Sequence, residues 1–138
     1  MMESISLQQL RVVEDQLTQI KEAIGLLQEW NRELKSVDDL LLSPSGMKTL
    51  AADCMLIEAI GESVKRIDEK TNGQLFSSRP EIPWNQVKGM RNHIAHGYFD
   101  INTDYVWDVI QNDLPPLQDA IDYLHKNLYD LFPFNEEQ

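Results

Sequence analysis

Apolar residues recur every three or four positions along most of this chain, the spacing of helices that bury one face. Leu10, Val13, Leu17, Ile20, Ile24 and Leu27 form one such seam, with glutamates and glutamines over the opposite side. Ser6-x-x-Gln9 has the form of a capping box, so a long first helix is predicted to start there. Residues 36–45 read as a polar linker interrupted by Leu40-Leu41-Leu42, and Ser43-Pro44 makes a good helix start. A second helix is predicted over about 47–70, with Met47, Leu50, Cys54, Ile57, Gly61 and Val64 on its buried face. Glycine costs a helix interior about 1 kcal/mol relative to alanine, so Gly61 suggests a close helix–helix approach. Asn72-Gly73 stops this helix.

The loop over 74–81 leads to Pro83, the predicted first position of a short third helix reaching Ala95 or His96. Thr103 is predicted to cap a fourth helix carrying Val106, Trp107 and Ile110. Pro115-Pro116 should kink or interrupt it ahead of Leu117, Ile121, Leu124 and Leu128. No alternating apolar pattern is long enough for a sheet, no repeat is present, and the tail over 135–138 should fray. The expected fold is all-α, an antiparallel bundle of four to five helices built as a single domain over residues 1–138. Spare apolar surface on helices of this kind would let two copies pair, so a homodimer is expected.

At 138 residues the chain can bury one core. It has no apolar run long enough to cross a bilayer, and its start, Met1-Met2-Glu3-Ser4, lacks the features of a signal peptide. The single cysteine, Cys54, excludes an internal disulfide and a multi-cysteine metal site, and its neighbours Leu50, Ala51 and Ile57 suggest a small core residue. These features point to a soluble cytoplasmic protein with no membrane partner. A net charge of −11 argues at first against a polyanionic partner. Its distribution softens that objection. Over residues 65–99, Lys65, Arg66, Lys70, Arg79, Lys88 and Arg91 outnumber Asp68, Glu69 and Glu81, giving +3 and leaving −14 elsewhere.

This basic segment also holds the densest chemistry in the chain, MRNHIAHGYF over 90–99. Arg91, Asn92, His93, His96 and Tyr98 place a guanidinium, an amide, two imidazoles and a phenol within eight residues. On an ideal helix Arg91 and His96 lie about 140° apart and His93 about 200° from Arg91. The groups therefore converge only if the chain turns at Gly97, or if a second copy supplies the missing members across a two-fold axis. Each has a plainer reading too. Arg91 could complement a helix dipole, His96 could cap the last carbonyls, Asn92 could cap locally, and Tyr98 and Phe99 could be core aromatics. Trp84 and Trp107 read as packing anchors.

The surroundings make the pattern specific. Pro83-Trp84, then Gly89-Met90-Arg91-Asn92-x-x-x-His96-Gly97-Tyr98, following Glu58-Ala59-Ile60-Gly61-Glu62, closely resembles the HepT-like branch of the HEPN superfamily. The resemblance covers nearly the whole chain, including Val106-Trp107 and Leu114-Pro115 after the motif, and R-x4-H-x-Y is matched at Arg91, His96 and Tyr98. His93 is not a motif position. The resemblance implies a small all-α toxin of a two-gene toxin–antitoxin system. Such a toxin would be a metal-independent ribonuclease, acting without a cofactor as a homodimer whose two motifs line one cleft. It further implies a minimal nucleotidyltransferase antitoxin, able in this branch to AMPylate the motif tyrosine, here Tyr98, and so fill the cleft with negative charge.

The residue types suit that chemistry. RNA carries its own nucleophile, the 2′-hydroxyl, so cleavage needs a base, an acid at the leaving oxygen and positive charge at the phosphate. His96 can serve as acid or base, and Arg91 can grip two phosphate oxygens. Asn92 could donate to the phosphate or orient His96, and His93 is a possible auxiliary. Glu58 and Glu62 are expected to flank the cleft or face solvent. The rival from another class is a non-catalytic helical module that binds the nucleotidyltransferase. A purely structural dimerisation domain is the third reading.

Overall fold

The computed structural model describes residues 5–132 and the backbone of 134–135. Helix α1 (Leu7–Asn31) starts where the capping box predicts. The Ser6 hydroxyl accepts the Gln9 N–H at 3.1 Å, and the Gln9 side-chain oxygen accepts the Ser6 N–H at 3.2 Å. All six predicted seam residues of α1 are buried, each contributing roughly 1.5–3 kcal/mol on leaving water. The linker contains a 3-10 helix (Val37–Leu40), whose Leu40 is buried while Leu41 and Leu42 stay exposed.

Helix α2 (Pro44–Lys70) begins a turn earlier than its apolar spacing predicts. Ser43 is its N-cap, accepting the Gly46 N–H at 2.9 Å, and Pro44 occupies the first turn where no N–H is needed. At its start the buried face lies one residue round from the expected seam. Gly46 and Asp53 are buried, whereas Met47 is 48% exposed and Cys54 only half-buried, so two of the six expected seam positions are corrected. Asn72 and Gly73 both take left-handed conformations (φ 51° and 74°) and end α2 as predicted.

The expected loop over 74–81 contains a helical turn, α3 (Gln74–Ser77), that buries Leu75 and Phe76. The predicted third helix is two pieces, α4 (Trp84–Lys88) and α5 (Arg91–Ile94), separated at Gly89 and Met90. Pro83 is the cap of α4 rather than its first residue, and α5 ends before Ala95 and His96. Trp84 is an anchor, its ring stacked 4.1 Å from Phe76 and its indole N–H donating to the Arg79 carbonyl at 2.9 Å.

Asn102, not Thr103, caps α6 (Thr103–Asp108), its side chain accepting the Tyr105 N–H. A π-helical turn (Val109–Asp113) then runs into α7 (Leu114–Leu131). Pro115 and Pro116 sit in the first turn of α7, and the widened turn before them takes up carbonyls that proline would otherwise crowd. Helix α1 packs on α2 and α7, and α2 also carries α4, α5 and α6. The fold is all-α. One departure is a two-residue parallel pairing of β1 (Ile5–Ser6) with β2 (Phe134–Asn135), which includes the first residue of the tail expected to fray. Residues 136–138 of that tail lie outside the described residues.

Candidate functional site

The site begins at Gly61. A Cβ built there would lie 3.0 Å from the Val87 carbonyl, so this glycine lets the end of α4 press onto α2. The chain then passes through Gly89 and Met90 into α5. Met90 and Ile94, four apart, are buried and pin that turn, which leaves Arg91, Asn92 and His93 facing outward.

Beyond Ile94 the helix does not continue, because Ala95 is extended (φ −163°, ψ 152°). Ala95 pairs with Ile101 in an isolated antiparallel bridge, and the Asn102 N–H donates to the Ile94 carbonyl at 2.7 Å. Inside this loop the His96 N–H donates to the Asp100 carbonyl at 3.3 Å, and the Asp100 N–H to the Gly97 carbonyl at 3.1 Å. Gly97 has φ +145°, a region L-residues rarely adopt, so the turn requires glycine. Tyr98 and Phe99 sit at its tip, 63% and 97% exposed, their rings edge-on at 5.2 Å.

The result is a cleft of about 480 Å³ with Arg91, His96 and Tyr98 on its loop side and Cys54 and Glu58 on its α2 side. The three motif residues converge within one chain by the turn at Ala95–Gly97. Helical angles between Arg91 and His96 do not apply, since the helix has ended, and no second copy is needed to gather them. Asn92 and His93 lie elsewhere, in an adjoining hollow that they share with His96, Asp100 and Asn102. His93 also lines a third cavity, where its ring centre is 5.5 Å from that of Tyr105. Asn92 makes no hydrogen bond to His96. Among the described residues, no hydrogen bond or ion pair engages the side chains of Arg91, Asn92, His96 or Tyr98.

Burial, then the nearby Asp53 and Glu58, pushes the Cys54 thiol up to about 11, so at neutral pH it is an unreactive wall of the cleft. The basic character expected of 65–99 is partly spent. Lys88 pairs with Asp68 at 2.8 Å, and Arg79 pairs with Glu81 at 2.8 Å while lying over the Tyr123 ring. Glu58 lines the cleft and Glu62 does not. Sequence reasoning missed three other residues. Phe99 could have been suspected from its place beside a glycine turn. Tyr105 and Asp113 meet His93 only through the fold, and burial raises both of their pKa values. Among the described residues no group of three His, Cys, Asp or Glu could hold a metal ion, and no helix is long and apolar enough to cross a membrane.

Comparison with known proteins places the chain in a family. Residues 13–124, from α1 through most of α7 and including the whole cleft loop, match the family described as Ribonuclease HepT-like. A Thermococcus cleftensis protein named "Probable ribonuclease HepT" is 33% identical over 112 residues, covering 81% of this chain and 94% of that protein. A candidate RNase of Methanocaldococcus jannaschii is 34% identical over 68 residues, 49% of this chain and 53% of its own. Another from that organism, whose name joins gamma-glutamylcyclotransferase to a candidate RNase, is 29% identical over 133 residues, 87% of this chain and 54% of its own. No solved structure matches the chain. The chain belongs to the HepT-like ribonuclease family of HEPN-type proteins.

Proposed function

We propose that this protein is a metal-independent endoribonuclease and the toxin of a toxin–antitoxin pair. The observation that carries the reading is the exposed cleft around Arg91, His96 and Tyr98, whose polar ends are engaged by no hydrogen bond or ion pair among the described residues. A phosphodiester laid across it would meet a permanent cation at Arg91 and a proton-transfer group at His96. The 2′-oxygen attacks phosphorus, the bond to the 5′-oxygen breaks, and the products are a 2′,3′-cyclic phosphate and a 5′-hydroxyl. His96 takes the proton from the nucleophile while water, or the His96 of a second copy, gives one to the leaving oxygen, and Arg91 offsets charge on the equatorial oxygens. Asn92, exposed on the same turn, is an additional donor to the strand. His93 has the weaker claim, because it faces the cavity of Tyr105.

A nucleotidyltransferase antitoxin would silence the site by AMPylating Tyr98. The Tyr98 oxygen would attack the α-phosphorus of ATP, with pyrophosphate leaving. Its ring is 63% exposed, which supports access by a second enzyme. A homodimer is part of the reading. Met55, 72% exposed, stands on α2 next to Cys54 of the cleft, so a copy covering it would border the same site.

Expression in a host cell tests the proposal. Wild type should arrest growth, and Arg91→Ala or His96→Ala should not, although both fold. Full toxicity of His96→Ala would remove the mechanism. If the protein bound a nucleotidyltransferase but never cut RNA, the binding-module reading would replace it.

A further inference from the structure

We propose that the apolar pocket next to the cleft is a nucleobase subsite, with Phe99 as its stacking face; this rests on the ribonuclease reading and names how the RNA strand is held. The pocket, about 410 Å³, has Leu41, Met47 and Leu50 on one side and Tyr98, Phe99 and Ile101 on the other. That volume lies within the roughly 300–1,000 Å³ of small-ligand sites. Tyr98 and Ile101 line both this pocket and the Arg91–His96 cleft, so the two are contiguous. A nucleotide whose phosphate meets Arg91 can therefore set a neighbouring base in the pocket.

Three observations favour a base over other occupants. Phe99 is 97% exposed yet is carried on a loop whose ends are tied by the Ile94–Asn102 hydrogen bond, so the ring is presented on a braced support. Aromatic faces set beside a phosphate-binding cation are the usual means of holding single-stranded RNA. Next, Met47 lies outside the core and at this pocket, where a flexible thioether can adapt to different bases. Finally, no residue lining the pocket is acidic, on a chain with 23 Asp and Glu among 138 residues. The pocket wall itself therefore presents no carboxylate to the strand.

The test uses labelled 2′-O-methyl oligonucleotides, which cannot be cut, in two forms: oligouridine and the same backbone made abasic. Binding of both is measured for wild type, Phe99→Ala and Phe99→Trp, with the oligomeric state followed by sedimentation. Wild type should prefer the base-bearing strand by about tenfold or more. Phe99→Ala should erase that preference while leaving abasic binding unchanged, and Phe99→Trp should restore it. Equal weakening on both strands, no effect on either, or no binding by wild type would overturn the subsite. Dissociation of a dimer by Phe99→Ala with base preference intact would show that a second copy covers the pocket, and would also overturn it. Cleavage is read separately on unmodified RNA. Base preference without cleavage would sink the nuclease chemistry alone, and cleavage without base preference would sink the subsite alone.

Discussion

The backbone amide of Asn102 donates to the carbonyl of Ile94 across 2.7 Å, closing the base of the loop that carries His96 and Tyr98. Arg91 sits on the helical turn just before that closure, so its place relative to the loop is set by this hydrogen bond together with the burial of Met90 and Ile94. A loop of this kind can bring an arginine, an imidazole and a phenol to one cleft even though they share no helical face.

Gly97 is the weak point of this arrangement. Nothing lies within 4 Å of a Cβ built there, so the obstacle to Gly97→Ala is its φ of +145° alone, a strain on the order of 1–3 kcal/mol. The loop should relax by moving His96 and Tyr98. We expect RNA cleavage to fall more than tenfold while the helical signal and urea midpoint change little. Full cleavage by Gly97→Ala would mean that the loop geometry is not what positions the site.

At Gly61 the constraint is packing. Alanine there gains helix propensity of about 1 kcal/mol but sets its methyl 3.0 Å from the Val87 carbonyl. Gly61→Leu has no such room and should destabilise by about 1–3 kcal/mol through displacement of α4, measured by urea unfolding. A melting curve unchanged from wild type would show that α4 is not held by this approach.

Asp53 is fully buried between α1 and α2, where its Oδ1 accepts from the Asn31 amide at 2.9 Å. Its Oδ2 and the Asn31 Oδ1 have no hydrogen-bond partner among the described residues, and burial lifts the carboxyl from 3.8 to about 7, against the opposing effect of the Asn31 hydrogen bond. The folded state therefore keeps a proton that the unfolded chain releases above about pH 4. Unfolding free energy from this group should fall as pH rises from about 4 to 7 and then level off. Asp53→Asn should flatten that slope and raise stability at pH 7–8. An unaltered slope in urea titrations at several pH values would contradict it.

Much of the scaffold was legible in the sequence. The six seam residues of α1, Leu10, Val13, Leu17, Ile20, Ile24 and Leu27, are all buried, because a long regular helix preserves its period from end to end. Periodicity failed where a polar or small residue took a core place. Asp53 and Gly46 are buried while Met47, the better hydrophobe, is not, since the Asp39 carbonyl lies over Gly46 and the Asn31 amide pairs with Asp53. It failed again at 89–101. Gly89, the burial of Met90 and Ile94, and the Ala95–Ile101 bridge cut short a helix that looked continuous, and long-range backbone pairing leaves no spacing signature. The identities of Arg91, His96 and Tyr98 were readable, and a turn at Gly97 was one of two ways to bring them together, but their spacing could not choose between that turn and a second copy.

The regulatory proposal makes its own prediction. Co-expression with a nucleotidyltransferase antitoxin should add AMP units of about 329 Da to the intact protein. Tyr98→Phe should carry none and should escape neutralisation. Equal modification of Tyr98→Phe would place the acceptor elsewhere.

The most direct measurement is cleavage of an unstructured RNA by purified protein in excess EDTA, with product ends identified by mass spectrometry. The account predicts 2′,3′-cyclic phosphate ends from wild type and no cleavage by His96→Ala or Arg91→Ala of unchanged melting temperature. Cleavage that stops on adding EDTA, or that continues undiminished in His96→Ala, would contradict it.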